Sequence, residues 1–359
     1  MLIGQLGAGG APKVVLNVTR HLLDSVENVI IGYLGGRDDL VSSFEDLGVR
    51  VVRLGDGPRD LAAPGTLWRL VSAYKPTVIH THMISAATWG RVVGRLRGVP
   101  VVSTIHTTYT NRPATARALD LSTSVFPDVN VSVSRSVAAS LPSYFGLGAR
   151  SEVVHNCVDP NEIRALGDVS WTETEWTDGI DESRPIVANV TRFDPKKRKV
   201  DLVRALPTIQ KTFPNTIVVL TGWGPRRRHV EEVARSLGVE ESVRFVGYVS
   251  NPYTVYQHSD TVALPSTSEG FSIGVLEAMS FAKPIIATDI PPFREALGPQ
   301  YPLVPTRNPE ALAETTTLCL SDSERADELG RIARERVETQ FSGRSAARSY
   351  LSVYRSVSE

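Results

Sequence analysis

The chain has 359 residues, 42% of them hydrophobic and 22% charged, the composition of a globular protein long enough for about two domains. Lys+Arg and Asp+Glu both total 39, so the formal charge is zero and the basic excess of a nucleic-acid binder is missing. Two cysteines, Cys157 and Cys319, make neither a disulfide framework nor a metal-binding pair; no apolar run nears the roughly 18 residues of a membrane span, and no basic region followed by an apolar core reads as a signal peptide. A cytoplasmic protein is expected.

Leu2 to Leu6 reads as a short first strand. The run Gly7-Ala8-Gly9-Gly10-Ala11-Pro12-Lys13 then opens a helix from about Val14 to Leu23, with Pro12 suited to a first turn. Strands are predicted over Val29 to Leu34, Val49 to Leu54, Thr77 to His82, Val99 to His106, Val129 to Ser132 and at Val153-Val154. Helices fall between them, over Asp39 to Leu47, Leu67 to Tyr74, Ala86 to Arg97, Ala114 to Ser122 and Arg135 to Tyr144. From Gly167 to Arg184 the pattern breaks into a polar, acidic run that reads as a surface insertion. The alternation restarts with strands Ile186 to Thr191, Thr216 to Thr221 and Val243 to Val246, and helices Val200 to Thr212 and Arg228 to Leu237. Helices Glu310 to Cys319, Asp322 to Gln340 and Ser345 to Val357 close the chain. Strands alternating with helices imply parallel sheets covered on both faces.

Asp260 to Glu295 is the densest stretch. A strand (Thr261 to Leu264) runs into a turn (Pro265 to Gly270), a helix (Ser272 to Phe281) and a second strand (Pro284 to Thr288). Glu269 and Glu277 bracket the helix start, eight residues or a little over two turns apart. The stretch Gly270-Phe271-Ser272-Ile273-Gly274 puts backbone N–H groups at the helix start, a ready anion site. An anion site beside two acids suits a sugar linked through phosphates.

The glycine loop Gly7 to Gly10 fails the dinucleotide fingerprint, because the third glycine position holds Pro12 and the second strand ends in Gly35-Gly36-Arg37 without an acid for a ribose. A tight turn and a phosphate cradle both remain open for it. Arg192 and Lys197 follow a strand end and precede a helix, where open α/β sheets bind ligands. A solvated basic turn is the plain alternative. His82 and His106 close neighbouring predicted strands, as structural or as functional residues. Gly-x-Ser-x-Gly is absent, and no grouping has metal-ligand spacing. The helix Ala86 to Arg97 carries Trp89 and, on one face, Arg91 and Arg95. It reads either as a packing helix with its arginines in water or as a peripheral contact to an anionic membrane.

Together these residues resemble the retaining nucleotide-sugar glycosyltransferases of the GT-B fold, specifically glycosyltransferase family 4, over nearly the whole chain. Glu269 to Glu277 matches the family's Glu-x7-Glu motif, Arg192 and Lys197 its basic pair, and Gly9-Gly10 its N-terminal glycines. His155-Asn156-Cys157-Val158-Asp159 resembles the segment between its domains, Gly222 to Pro225 its glycine turn, and Phe245 to Val249 its base-contacting segment. Thr191, Arg198, Cys157 and Pro291-Pro292 depart from family glycines.

The resemblance implies two doubly wound Rossmann-like α/β domains facing across a cleft. Residues 1–158, joined by a C-terminal helix of about 341–359 crossing back, would bind acceptor, and residues 159–340 donor. It implies transfer of a sugar from a UDP- or GDP-linked donor to a hydroxyl, with retention, no metal and no cofactor beyond the co-substrate. Catalytic roles fall on Arg192, Lys197, Glu269 and His106. Donor contacts fall on Gly9, Gly10, Gly224, Tyr248, Val249, Phe271, Ser272, Ile273, Gly274 and Glu277, and acceptor contacts on His82, Thr107 and Tyr109. A nucleotide-sugar epimerase, a phosphorylase of the same fold and an inactive nucleotide-sugar-binding protein are the other classes.

Overall fold

The computed structural model describes residues 1–57 and 60–358. The chain divides into two compact units, Met1–Val158 with Phe341–Glu359, and Asp159–Gln340. In the first unit β1 (Leu2–Ile3), β2 (Ile30–Tyr33), β3 (Arg50–Arg53), β4 (Ile79–His82), β5 (Val101–Ile105), β6 (Val129–Ser132) and β7 (Arg150–Val153) form one parallel sheet in the order β3-β2-β1-β4-β5-β6-β7. Around it lie α1 (Gly10–Leu22), α2 (Val41–Glu45), α3 (Ala63–Tyr74), α4 (Ile84–Arg97), α5 (Ala114–Thr123) and α6 (Arg135–Ser140). Val14, Val15, Val18 and Leu22 form the buried stripe of α1, the spacing that seats a helix on a sheet.

β4 and β5 are buried along their whole length, as central parallel strands are, yet β4 reads Ile79-His80-Thr81-His82. Buried polar groups require partners, and His80 and Thr81 have them. Thr81 Oγ1 is 2.9 Å from Ser103 Oγ, and His80 Nε2 is 2.7 Å from Thr104 Oγ1.

In the second unit α7 (Pro160–Gly167), capped by the Asp159 carboxylate, precedes β8 (Ile186–Val190), α8 (Lys199–Ile209), β9 (Ile217–Thr221), α9 (Arg227–Ser236), β10 (Val243–Gly247), α10 (Tyr253–Gln257) and β11 (Thr261–Leu264). α11 (Ile273–Ser280), β12 (Ile285–Ala287), α12 (Pro291–Leu297), α13 (Pro309–Ser321) and α14 (Ser323–Gln340) follow. The strands are again parallel, in the order β10-β9-β8-β11-β12. The last helix, α15 (Gly343–Ser358), belongs to the first unit and packs on α1. Tyr354 of α15 has its hydroxyl 2.6 Å from His80 Nδ1.

The structure corrects several sequence expectations. β1 is only two residues long, since Leu6 leaves the sheet to donate its N–H to Arg37 O at 2.9 Å. α1 begins at Gly10, four residues before Val14. α6 ends at Ser140 rather than Tyr144, because Pro142 forces Leu141 into an extended conformation. The run from Gly167 to Arg184 is no loose surface insertion. Trp176 is 4% exposed and packs with Ile186, Ile217, Val219 and Val255, while its Nε1 donates to Thr254 Oγ1 at 3.2 Å.

Arg91 does not face outward with Arg95. It is 1% exposed, and its guanidinium donates to Asp120 Oδ1 at 2.6 Å and to Ser103 Oγ at 3.0 Å. The basic membrane face read on this helix therefore loses its first arginine. Among the described residues no helix is long and apolar enough to cross a membrane.

Candidate functional site

In an open parallel sheet, ligands bind beyond the carboxyl ends of the strands, where the strand order reverses. In the second unit that point lies between β8 and β11. The loops leaving these two strands carry Arg192, Lys197 and Glu269. They are tied together by Thr267 N–H donating to Lys196 O at 2.8 Å. Lys197 Nζ then donates to Glu269 Oε1 at 2.5 Å, with side chains only 14% and 7% exposed. A charge-assisted bond this well shielded fixes both groups before any ligand arrives.

Arg192 is held differently. Its side chain is 56% exposed, its carboxylate contact to Asp194 is long at 3.5 Å, and its guanidinium lies 5.5 Å above the Trp223 ring. Trp223 is set by its flanking glycines. Gly222 (φ +96) and Gly224 (φ +150) adopt conformations open to glycine, and a Cβ on them would lie 2.3 Å from Thr191 O and 2.5 Å from Phe193 O. Phe193 N–H closes the contact by donating to Trp223 O at 2.9 Å. The turn that positions Trp223 is legible in sequence; its stacking on Arg192 is not.

α11 starts at Ile273 with Ser272 giving no side-chain cap, and first-turn amides lack intrahelical partners. Phe271 and Ser272 are buried beneath this terminus, and Ile273 and Gly274 are partly exposed on it. Glu277 is 5% exposed and accepts from the buried Tyr256 hydroxyl at 3.3 Å. Tyr256 comes from α10, an element the periodicity did not reveal. At the neighbouring strand end Gly222 N–H bonds Gly247 O, so the turn bearing Gly224 runs beside the exposed Tyr248 and the half-buried Val249.

Lys199 was also missed. It is 3% exposed, and Nζ donates to Asn189 Oδ1 (2.7 Å), Asn189 O (3.1 Å) and Thr221 O (3.0 Å), joining the ends of β8 and β9. Burial, and next the Lys197 charge, pull its pKa well below the ordinary lysine value.

In the first unit the strand order reverses between β1 and β4. Gly9 and Gly10 lie exposed at the start of α1, and His82 closes β4. His106 stands one residue beyond β5, and its Nε2 is 3.1 Å from His82 Nδ1. Thr107 and Tyr109 follow. The Thr107 carbonyl accepts from Arg112 at 2.8 Å, and Tyr109 N–H donates to Ser140 Oγ at 2.9 Å beneath the Arg112 guanidinium, 5.6 Å from the ring centre. Among the described residues no group of three or more His, Cys, Asp or Glu side chains is arranged to hold a metal ion.

His80, His82 and His106 are all held neutral. Burial is the main cause for each, and His106 is brought down to about 4, with the Arg112 charge as the second cause. A folded-state pKa below the unfolded value of 6.5 means that the unfolded chain binds more protons in between. The stability these groups contribute is therefore complete above about pH 6.5 and is lost as pH falls below it, for His106 through about pH 4. Each group contributes up to about 1.4 kcal/mol per pH unit in that window. Thermal unfolding followed between these limits should show the melting temperature falling with acid, less steeply in His80→Gln. Equal slopes in the two proteins would contradict this account.

Two doubly wound parallel sheets in one chain, with a part-buried Lys–Glu pair and a basic partner at the reversal of the second, mark the GT-B class of fold. HepE of Anabaena, solved with UDP-glucose, superposes with a TM-score of 0.83 at 18% identity, covering 99% of this chain and 98% of that one. Sucrose-phosphate synthase of Thermosynechococcus elongatus gives 0.76 at 22%, covering 99% and 98%. Among relatives by sequence, glycogen synthase of Mycobacterium tuberculosis is 26% identical over 79% of this chain and 69% of its own length. Residues 8–162 match the model of glycosyltransferase family 4, and residues 172–336 that of the group 1 glycosyl transferases. The chain belongs to this family of glycosyltransferases.

Proposed function

We propose that the protein transfers a sugar from a nucleoside-diphosphate donor to a hydroxyl acceptor, with retention at the anomeric carbon and without a metal. The observation that carries this reading is the 2.5 Å Lys197–Glu269 pair at the strand-order reversal of the second unit. It sets a fixed cation next to a shielded carboxylate, with Arg192 and the α11 amides as further donors. Charge grows on the diphosphate as the sugar departs. Preplaced cations and N–H groups aimed at it lower that barrier most. Glu269 takes donor-sugar hydroxyls and Glu277 the ribose hydroxyls, while Tyr248 and Val249 meet the base. The second unit is the donor side. The first is the acceptor side, through His106, Thr107 and Tyr109, with the buried His82 behind His106. In this scheme a phosphate oxygen of the leaving group takes the acceptor proton, and the new bond forms on the face the diphosphate leaves.

UDP and UDP-glucose are the ligands in the HepE complexes, and a relative in Bacillus anthracis is an N-acetyl-alpha-D-glucosaminyl L-malate synthase. The HepE complexes support a nucleotide-sugar donor, and the relative's name supports sugar transfer. The test is release of nucleoside diphosphate from a panel of UDP- and GDP-sugars, with and without hydroxyl acceptors, in EDTA. Acceptor-dependent release with an α-linked product from an α-linked donor is expected. Inversion, or turnover that returns only with magnesium or manganese, would overturn the mechanism.

A further inference from the structure

The His82–His106 pair contains information about where protons sit. His82 is 1% exposed, and its Nδ1 is 3.1 Å from His106 Nε2. His82 Nε2 is buried and has no hydrogen-bond partner among the described residues. His106 is only partly buried, and its Nδ1 is neither bonded to a described residue nor among the buried atoms left without a partner.

A neutral imidazole carries one N–H, so one ring of the pair donates and the other accepts. Suppose His106 donated from Nε2. His82 Nδ1 would then be the acceptor, and the His82 proton would sit on Nε2, as a buried N–H without an acceptor. That is the rare and costly case, whereas a buried lone pair is tolerated more readily. The lower-energy arrangement puts the His82 proton on Nδ1, donating to His106 Nε2. Neutral His106 must then hold its own proton on Nδ1, the nitrogen left free to meet something else.

We propose that His82 is a positioning residue that fixes His106 as its Nδ1–H tautomer, so that His106 offers a hydrogen-bond donor, and not a base, to an oxygen of the substrate. The surroundings agree. His80 packs on His82 with ring centres 4.1 Å apart. Its own nitrogens are occupied by Tyr354 and Thr104, and Thr104 also meets the Tyr350 hydroxyl. Arg112 is a cation acting on His106, and it opposes a second proton on that ring. The tautomer stands on geometry alone; its use in catalysis rests on the function proposed above.

The test is nitrogen NMR on the full chain labelled in its seven histidines, near pH 7.5, with His106 assigned through His106→Gln. His106 is expected as Nδ1–H in the parent. In His82→Ala it should shift to Nε2–H, with kcat down about tenfold or more and KM little changed. His82→Asn, whose amide N–H can replace the donor, should keep both the tautomer and most of the activity. A parent His106 that is Nε2–H or charged overturns the proposal without any variant. A changed tautomer in His82→Ala with unchanged kcat overturns the positioning role, provided His106→Gln is impaired. If His106→Gln is fully active while the tautomer is as expected, the assignment of His106 to the reaction fails instead.

Discussion

Replacing Asp120 with alanine is expected to remove about 3–5 kcal/mol of stability from the first unit, the cost of stripping a buried charge of its partner. Asp120, in α5, is 1% exposed and serves two guanidinium groups. Arg91 of α4 lies 2.6 Å from Oδ1, and Arg112 bonds Oδ2. Burial opposes the charge on both arginines, and Asp120 is what restores it. Without the carboxylate, two buried cations face each other across α4, α5 and the loop after β5. Arg91 would keep its bond to Ser103, and Arg112 its bond to Thr107 O, which are neutral acceptors too weak to hold the charges. Urea unfolding, read by hydrogen exchange in the first unit, should show the loss. Replacing Arg91, Arg112 and Asp120 together by apolar residues of similar volume should recover most of it. An unchanged midpoint for Asp120→Ala would mean that the network carries no stability.

Lys197→Ala is expected to lower kcat by about 10²–10³-fold, the effect of removing one preplaced donor from developing charge. Its effect on KM should be smaller, because the interaction strengthens as the diphosphate leaves. The substitution also frees Glu269, which is 7% exposed and has lost its 2.5 Å partner. A drop in activity could then come from a disturbed loop. The double variant Lys197→Ala, Glu269→Gln separates the two causes. It removes the stranded charge, so stability should return while turnover stays low. A raised KM at unchanged kcat would end the catalytic role of Lys197. Recovery of turnover in the double variant would make it structural.

Much of the fold could be read locally. Alternating strands and helices, with glycines and prolines at the turns, are written in stretches of ten to twenty residues. Glu269 and Glu277 are eight apart on one strand–turn–helix element, and Arg192 and Lys197 share one turn. Both motifs were therefore visible without the sheet. α10 and α12 were not, because five and seven residues are too few to show a helical period. Trp171 and Trp176 sit in single-turn 3-10 segments among acidic residues, so polarity outweighed them. The structure shows the opposite for Trp176, whose ring fills the space beside β8, β9 and α10.

By itself the sequence determined the two α/β halves and the residue types gathered at the second half's central turns, because each depends on short spacings along the chain. Tertiary structure alone decided which of those residues touch. Lys197 and Glu269 are 72 residues apart and meet only because β8 and β11 are neighbours. Arg91 looked like a surface cation, since a lone arginine is too costly to bury. It is buried because Asp120, 29 residues on, arrives from another helix to neutralise it. His82 and His106 were noticed as strand ends. Their shared proton depends on β4 lying beside β5 and on a seal over His82 Nε2 that no local pattern encodes. Periodicity reports which face of an element turns inward; the partner waiting there is chosen by strand order.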